Sequence, residues 1–184
     1  MIALGGGVYE LRTTELTAPV EWKPLRDDAM WSLGPNYHLE PGETIEVAPH
    51  FATAAGRVVS LPDLASSTLA SPHPIWAYLP PLYDENTAAR LPVVYMHDGQ
   101  NLFDAALAFG GVEWGVDEAI DAAAGAGRCP DGASCQSDGD CSVARCETFR
   151  EAIVIGVGNT ADRIREYTPT ADASVGVGGD ADLY

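Results

Sequence analysis

Leu91-Pro92-Val93-Val94-Tyr95-Met96-His97-Asp98-Gly99-Gln100-Asn101-Leu102-Phe103-Asp104 is the stretch on which the fold class turns. Its first half is a short apolar run, the pattern of a strand buried on both faces. Its second half opens with turn-forming residues. A glycine at the C-terminal end of a buried parallel strand lets the backbone turn sharply and aim N–H groups at a ligand. Gly99 and Gln100 are therefore candidate oxyanion donors. The same residues equally suit a plain tight turn, with Asp98 and Asn101 capping backbone donors. The residues alone leave both readings open.

The segments on either side follow the same grammar. Arg57-Val58-Val59-Ser60-Leu61 and Ile75-Trp76-Ala77-Tyr78-Leu79 read as strands, the second ended by Pro80-Pro81. A helix is predicted over 116–124, with Asp117, Glu118 and Asp121 where acidic side chains suit the helix dipole. Glu151-Ala152-Ile153-Val154-Ile155-Gly156-Val157-Gly158 is the next apolar strand. Strand, helix, strand with both strands apolar throughout predicts an α/β class: a mostly parallel sheet with crossover helices.

Residues 1–57 read as a β-rich segment. Val8-Tyr9-Glu10-Leu11-Arg12 and Thr44-Ile45-Glu46-Val47 alternate as short strands, with turn signals at Gly34-Pro35-Asn36 and Pro41-Gly42. The segment carries Tyr9, Trp22, Trp31 and Tyr37. These rings either fill a thin core, the preferred reading, or stay exposed, where Trp22 and Trp31 suit stacking on a sugar. The Gly/Ala/Asp-rich stretch 171–182 reads as a loop.

Charge narrows the function. Ten basic against 27 acidic residues give a formal net charge of -17, a field that repels a phosphate backbone and excludes nucleic acid as a partner. No apolar stretch approaches the roughly 20 residues that span a bilayer. The first residues lack the basic start and apolar run of a signal peptide. Yet Cys129, Cys135, Cys141 and Cys146 crowd into one loop, which suggests an oxidising, extracellular or periplasmic compartment. Their spacing matches zinc-ligand pairs poorly, and the turn residues around them favour two disulfides. Four cysteines allow three pairings, and spacing does not choose. Neither a metal nor a cofactor is expected. Gly156-Val157-Gly158-Asn159-Thr160-Ala161 fits a dinucleotide-binding fingerprint, with Asp180 beyond it. Thr168-Pro169 interrupts the helix that fingerprint needs, so the reading is set aside.

Three segments together carry a resemblance. They are Pro74-Ile75-Trp76-Ala77-Tyr78-Leu79-Pro80-Pro81-Leu82-Tyr83-Asp84, the stretch 91–104, and Ile153-Val154-Ile155-Gly156-Val157-Gly158-Asn159 with Arg163-Ile164-Arg165-Glu166-Tyr167-Thr168-Pro169. In this order they resemble the putative esterase family of the α/β-hydrolase fold, which includes enterochelin-esterase-like, esterase-D-like and feruloyl-esterase-like enzymes. The resemblance implies that 58–184 is the first half of an α/β-hydrolase, with a Cys-rich insertion at 128–147. Residues 1–57 weakly resemble the small carbohydrate-binding-like modules that precede such esterases, and a remnant of one is the matching reading. The implied activity is a serine esterase that hydrolyses carboxylic esters, small-molecule or carbohydrate, through an acyl-enzyme. The implied first oxyanion donor falls near Gly99 or Gln100. Arg163 and Tyr167 fall in a loop near the catalytic face, either on the substrate side or as support for the turn.

One part of the pattern is missing. Such chemistry needs a nucleophile on a Gly-x-Ser-x-Gly elbow, followed by an acid and a histidine. No such pentapeptide occurs; the nearest, Asp172-Ala173-Ser174-Val175-Gly176, lacks the first glycine, and Ser174 reads as loop. His38, His50, His73 and His97 all precede it. The expectation is a fragment whose nucleophile lies beyond Tyr184, inactive by itself and poorly soluble through an uncovered apolar edge. The alternative is a non-catalytic carbohydrate-binding or interaction module.

Overall fold

In chain order the strands are β1 (Ile2–Gly5), β2 (Val8–Glu10), β3 (Val20–Trp22), β4 (Leu25–Arg26), β5 (Met30–Trp31) and β6 (Tyr37–Leu39). Next come β7 (Arg57–Leu64), β8 (His73–Leu79), β9 (Val93–His97), β10 (Gly127–Arg128), β11 (Ser134–Cys135) and β12 (Ile153–Val157). Three short helices are interspersed: α1 (Leu82–Glu85), α2 (Val116–Gly125) and α3 (Arg163–Tyr167). This computed structural model describes residues 1–69, 71–171, 173, 174, 176, 178, 179 and 181. Contacts divide the chain into two units. The first gathers Met1–Gly56, Pro80–Pro92 and Glu118–Ala152; the second gathers Arg57–Leu79, Val93–Asp117 and Ile153–Tyr184.

The second unit is built on one four-stranded sheet in the order β7-β8-β12-β9. Strands β7 and β8 pair antiparallel, as do β8 and β12; only β12 and β9 run parallel, with Ile153 opposite Val93 and Val157 opposite His97. The expected half of an α/β-hydrolase, a mostly parallel sheet with crossover helices, is therefore corrected to a mixed sheet in a chain of strands and loops. Apolar runs report that a segment can be a strand but not the direction of its neighbour. The intended crossover helix, α2, is ten residues long, and from Glu118 onward it belongs to the first unit.

A second expectation fails on the same sheet. Strand β9 was expected to be buried on both faces, yet it lies at the sheet edge with Val93 46%, Val94 44% and Tyr95 74% exposed. Its sequence states what the strand could bury, not what comes to cover it. The core sits instead around β8, where Ile75, Ala77 and Tyr78 are buried with Leu102, Phe103 and Val154.

The first unit holds α1, most of α2 and four two-stranded pieces: β1 with β2, β3 with β6, β4 with β5, and β10 with β11. The strand expected at 44–47 does not form, and β3 pairs with β6. The rings are divided between the two readings. Trp22 and Tyr37 are half-buried against each other with centroids 5.4 Å apart, whereas Trp31 is 59% and Tyr9 66% exposed. The four cysteines form two overlapping disulfides, Cys129–Cys141 and Cys135–Cys146, with sequence separations of 12 and 11. Loops of this size gain on the order of 3 kcal/mol each from closure in the chain-entropy picture. Cys129, Cys135 and Cys146 are themselves buried, so the bridges are the small core of this region.

Candidate active site

The parallel pairing of β9 and β12 brings their C-terminal ends side by side, and the candidate site grows from them. Leaving β9, Asp98 adopts the left-handed conformation at φ 56° and ψ 42°, which Asp tolerates better than most residues. The chain then enters a single 3-10 turn, Gly99–Asn101. Gly99 has to be glycine for a steric reason. A Cβ there would lie 2.6 Å from the backbone carbon of Gly156 in β12, so any larger residue drives turn and strand apart. The leading N–H groups of such a turn, those of Gly99 and Gln100, find no acceptor inside it.

Side chains from the loop after β12 and from α3 close on Asp98. Asn159 Nδ2 donates to Asp98 Oδ1 at 2.7 Å, Arg163 Nε to the same oxygen at 3.2 Å, and Arg163 Nη2 to Oδ2 at 3.1 Å. Burial by itself raises the Asp98 carboxyl, but the Arg163 and Asn159 donors outweigh it and hold the group below its ordinary range. The Arg163 guanidinium is raised in turn by Asp98. The Asn159 N–H donates to Gln100 Oε1 at 3.2 Å, tying the turn to the end of β12. Beside this knot, His97 Nδ1 and the Tyr167 hydroxyl share a hydrogen bond at 3.2 Å.

Helix α3 is anchored from behind by buried polar groups. Glu166 is 3% and His73 2% exposed. His73 Nδ1 bonds the carbonyl of Gly158 at 2.8 Å, its Nε2 lies 3.5 Å from Glu166 Oε1, and Thr160 Oγ1 donates to Glu166 Oε2 at 2.9 Å. These contacts fix the direction in which Arg163 and Tyr167 leave the helix.

Next to the turn lies a cavity of about 270 Å3. Val58, Trp76, Phe103 and Leu107 give it apolar walls; Ser60, Gln100 and Asp104 bring polar groups, and Gly99 contributes backbone. No histidine lines it among the described residues. With its carboxylate already held by Arg163, Asp98 is not a free base. The arrangement sets the Gly99 and Gln100 backbone beside apolar walls and the Ser60 hydroxyl.

Of the residues singled out from the sequence, Gly99, Gln100, Arg163 and Tyr167 come together in this one region of the second unit. The plain-turn reading is half met. Asn101 Oδ1 does accept the N–H of Phe109 at 2.8 Å, whereas Asp98 pairs with Arg163 instead of capping. Sequence reading missed Asn159, His73 and Glu166; they follow β12, start β8 and lie in α3, so only pairing in space brings them together. Ser174 lies in a turn, while Asp172, Val175 and Asp180 fall outside the described residues. Trp22 and Trp31 line a different cavity, of about 350 Å3 in the first unit, together with Glu21, Lys23 and Asn36. The two disulfides are compatible with an extracellular location. Among the described residues, no helix is long and apolar enough to cross a membrane. Set against protein-family models, curated proteins and solved structures, the chain matches none.

Proposed function

We propose that the second unit binds the acyl part of a carboxylic ester and supplies oxyanion donors to a serine-esterase site, without supplying the nucleophile. The observation that carries this reading is the position of Gly99 and Gln100. Both border a cavity whose walls are Val58, Trp76, Phe103 and Leu107, so N–H donors stand beside an apolar surface suited to an acyl chain. This rests on the turn and its cavity alone, not on the hydrolase fold that the sheet contradicts. A secreted or periplasmic setting accompanies it, in keeping with the two disulfides. No Gly-x-Ser-x-Gly elbow occurs in these 184 residues, so they bind an ester without turning it over.

The test has two parts. Short-chain p-nitrophenyl esters should give no saturable, serine-reagent-sensitive hydrolysis. A short-chain carboxylate should shift the amide resonances of Gly99 and Gln100 with saturation. Turnover by this chain, or titration without any response at those amides, defeats the proposal.

A second reading has an observation of its own. Trp22 and exposed Trp31 share one cavity with Glu21, Lys23 and Asn36, a pairing of aromatic faces with polar groups that suits a sugar. Retardation in polysaccharide gels that disappears in Trp31→Ala supports carbohydrate binding; equal mobility with and without polysaccharide removes it.

A further inference from the structure

Strands β3 and β6 pair antiparallel with Glu21 directly opposite His38 and Trp22 opposite Tyr37. Period-two alternation then puts Glu21 and His38 on one face of the pair and the two rings on the other. Against the Glu21–His38 face comes the turn Asp138–Asp140, which lies within the loops closed by both disulfides. The Asp138 N–H donates to Glu21 Oε1 at 2.8 Å. Asp138 Oδ1 lies 3.2 Å from His38 Nε2, and the carbonyl oxygen of Cys146 lies 3.0 Å from the same nitrogen. One ligand atom each from Glu21, His38 and Asp138 falls within 4.8 Å of the others. The His38 side chain is 11% exposed and that of Asp138 40%, so the cluster is held from within and open on one side.

Two oxygens facing one ring nitrogen require something positive between them. A proton on Nε2 is one answer, and a divalent cation is the other. At metal–ligand distances of about 2.0–2.2 Å, neighbouring donors on a tetrahedral shell stand about 3.3 Å apart. The observed 3.2 Å and 3.0 Å separations are close to that spacing. Exposed Glu21, with a carboxylate oxygen within 4.8 Å of the His38 and Asp138 ligand atoms, is the further donor at hand.

We propose that Glu21, His38, Asp138 and the carbonyl of Cys146 form a binding site for one divalent transition-metal ion of the zinc type. One imidazole among oxygens favours such a borderline cation over magnesium or calcium, which prefer oxygen alone. On binding, His38 gives the metal its Nε2 lone pair as a neutral imidazole, so its one ring proton sits on Nδ1. The cysteines do not compete as ligands, because all four are in disulfides. Four protein donors describe a structural site. The ion ties the β3–β6 pair to the disulfide loop, and the net charge of -17 attracts it.

The test is a zinc titration of the whole chain, followed by calorimetry at about 150 mM salt with excess magnesium to quench diffuse binding to surface carboxylates. The expected result is one equivalent bound, weakened tenfold or more in both His38→Phe and Asp138→Asn. The second variant keeps an oxygen to accept the Cys146 N–H and so retains the loop contact. A readout that needs no variant is the ring 15N resonances of the wild-type chain. Zinc should move those of His38 and leave those of His50, His73 and His97 in place. No zinc uptake, undiminished uptake in either variant, or a response centred on another histidine overturns the site.

Discussion

Glu85 illustrates how much one side chain can settle. At the end of α1 it accepts the N–H groups of Phe51, at 2.7 Å, Ala52, at 2.8 Å, and Thr53, closing a long connection with a single carboxylate. Burial alone would raise its carboxyl, but the three donors outweigh that and hold it at about 2, against an ordinary value of 4.5. A carboxyl depressed by folding stabilises fully above its unfolded range, and the gain disappears as pH falls through the folded value. Glu85 therefore stabilises the first unit at neutral pH and loses its effect between about 4.5 and about 2. Glu85→Gln should lower stability at pH 7 by about 1 kcal/mol, a figure kept small because the group is largely solvated. It should also flatten the loss of stability across that acid window. Urea unfolding at pH 7, 4.5 and 3 reads both effects; equal slopes with pH for the two proteins would remove Glu85 as the cause. Asp98 is held low by the same balance, with a guanidinium in place of backbone donors, and neither case was readable from composition.

Elements were more legible than their assembly. The strand expected at 57–61 appears as β7, that at 75–79 as β8, that at 93–96 as β9 and that after 151 as β12, while the helix expected at 116–124 is α2. Those assignments rest on local information: apolar runs, Pro80-Pro81 as a stop, and acidic residues at a helix start. Strand order and direction rest on pairing between distant residues. There the sequence misled, because a mostly parallel sheet was expected and only the β9–β12 pair is parallel, while β7–β8 and β8–β12 are antiparallel. The site follows the same division. Gly99 was identifiable because a strand end followed by glycine has few uses, but its close approach to Gly156, which leaves no room for a Cβ, was not. The convergence of Asn159 and Arg163 on Asp98 depends on the β9–β12 register, which no spacing along the chain reveals. At Thr44-Ile45-Glu46-Val47 the alternation was genuine, but without a partner strand alternation alone does not make an extended segment into a sheet.

At the scale of the whole molecule two forces oppose each other. Strand β9 presents an edge unpaired among the described residues and the exposed side chains of Val93, Val94 and Tyr95, a template for pairing with another chain. The net charge of -17 keeps copies apart. Charge repulsion between molecules weakens with salt, because the screening length falls from roughly 30 Å at 0.01 M to about 8 Å at 0.15 M; strand pairing and apolar contact do not weaken in that way. Self-association should therefore rise with ionic strength, the reverse of what salt bridges between copies would produce. Light scattering at about 0.01 M and 0.15 M salt should show larger particles in the second case. Tyr95→Glu places a like charge on the edge and should suppress the rise without altering the fold, since Tyr95 is 74% exposed. A chain that stays monomeric at both salt concentrations and melts sharply and reversibly would show the edge to be harmless. Equal scattering from wild type and Tyr95→Glu would place the contact elsewhere, with the exposed Phe109 and Trp114 the next surfaces to charge.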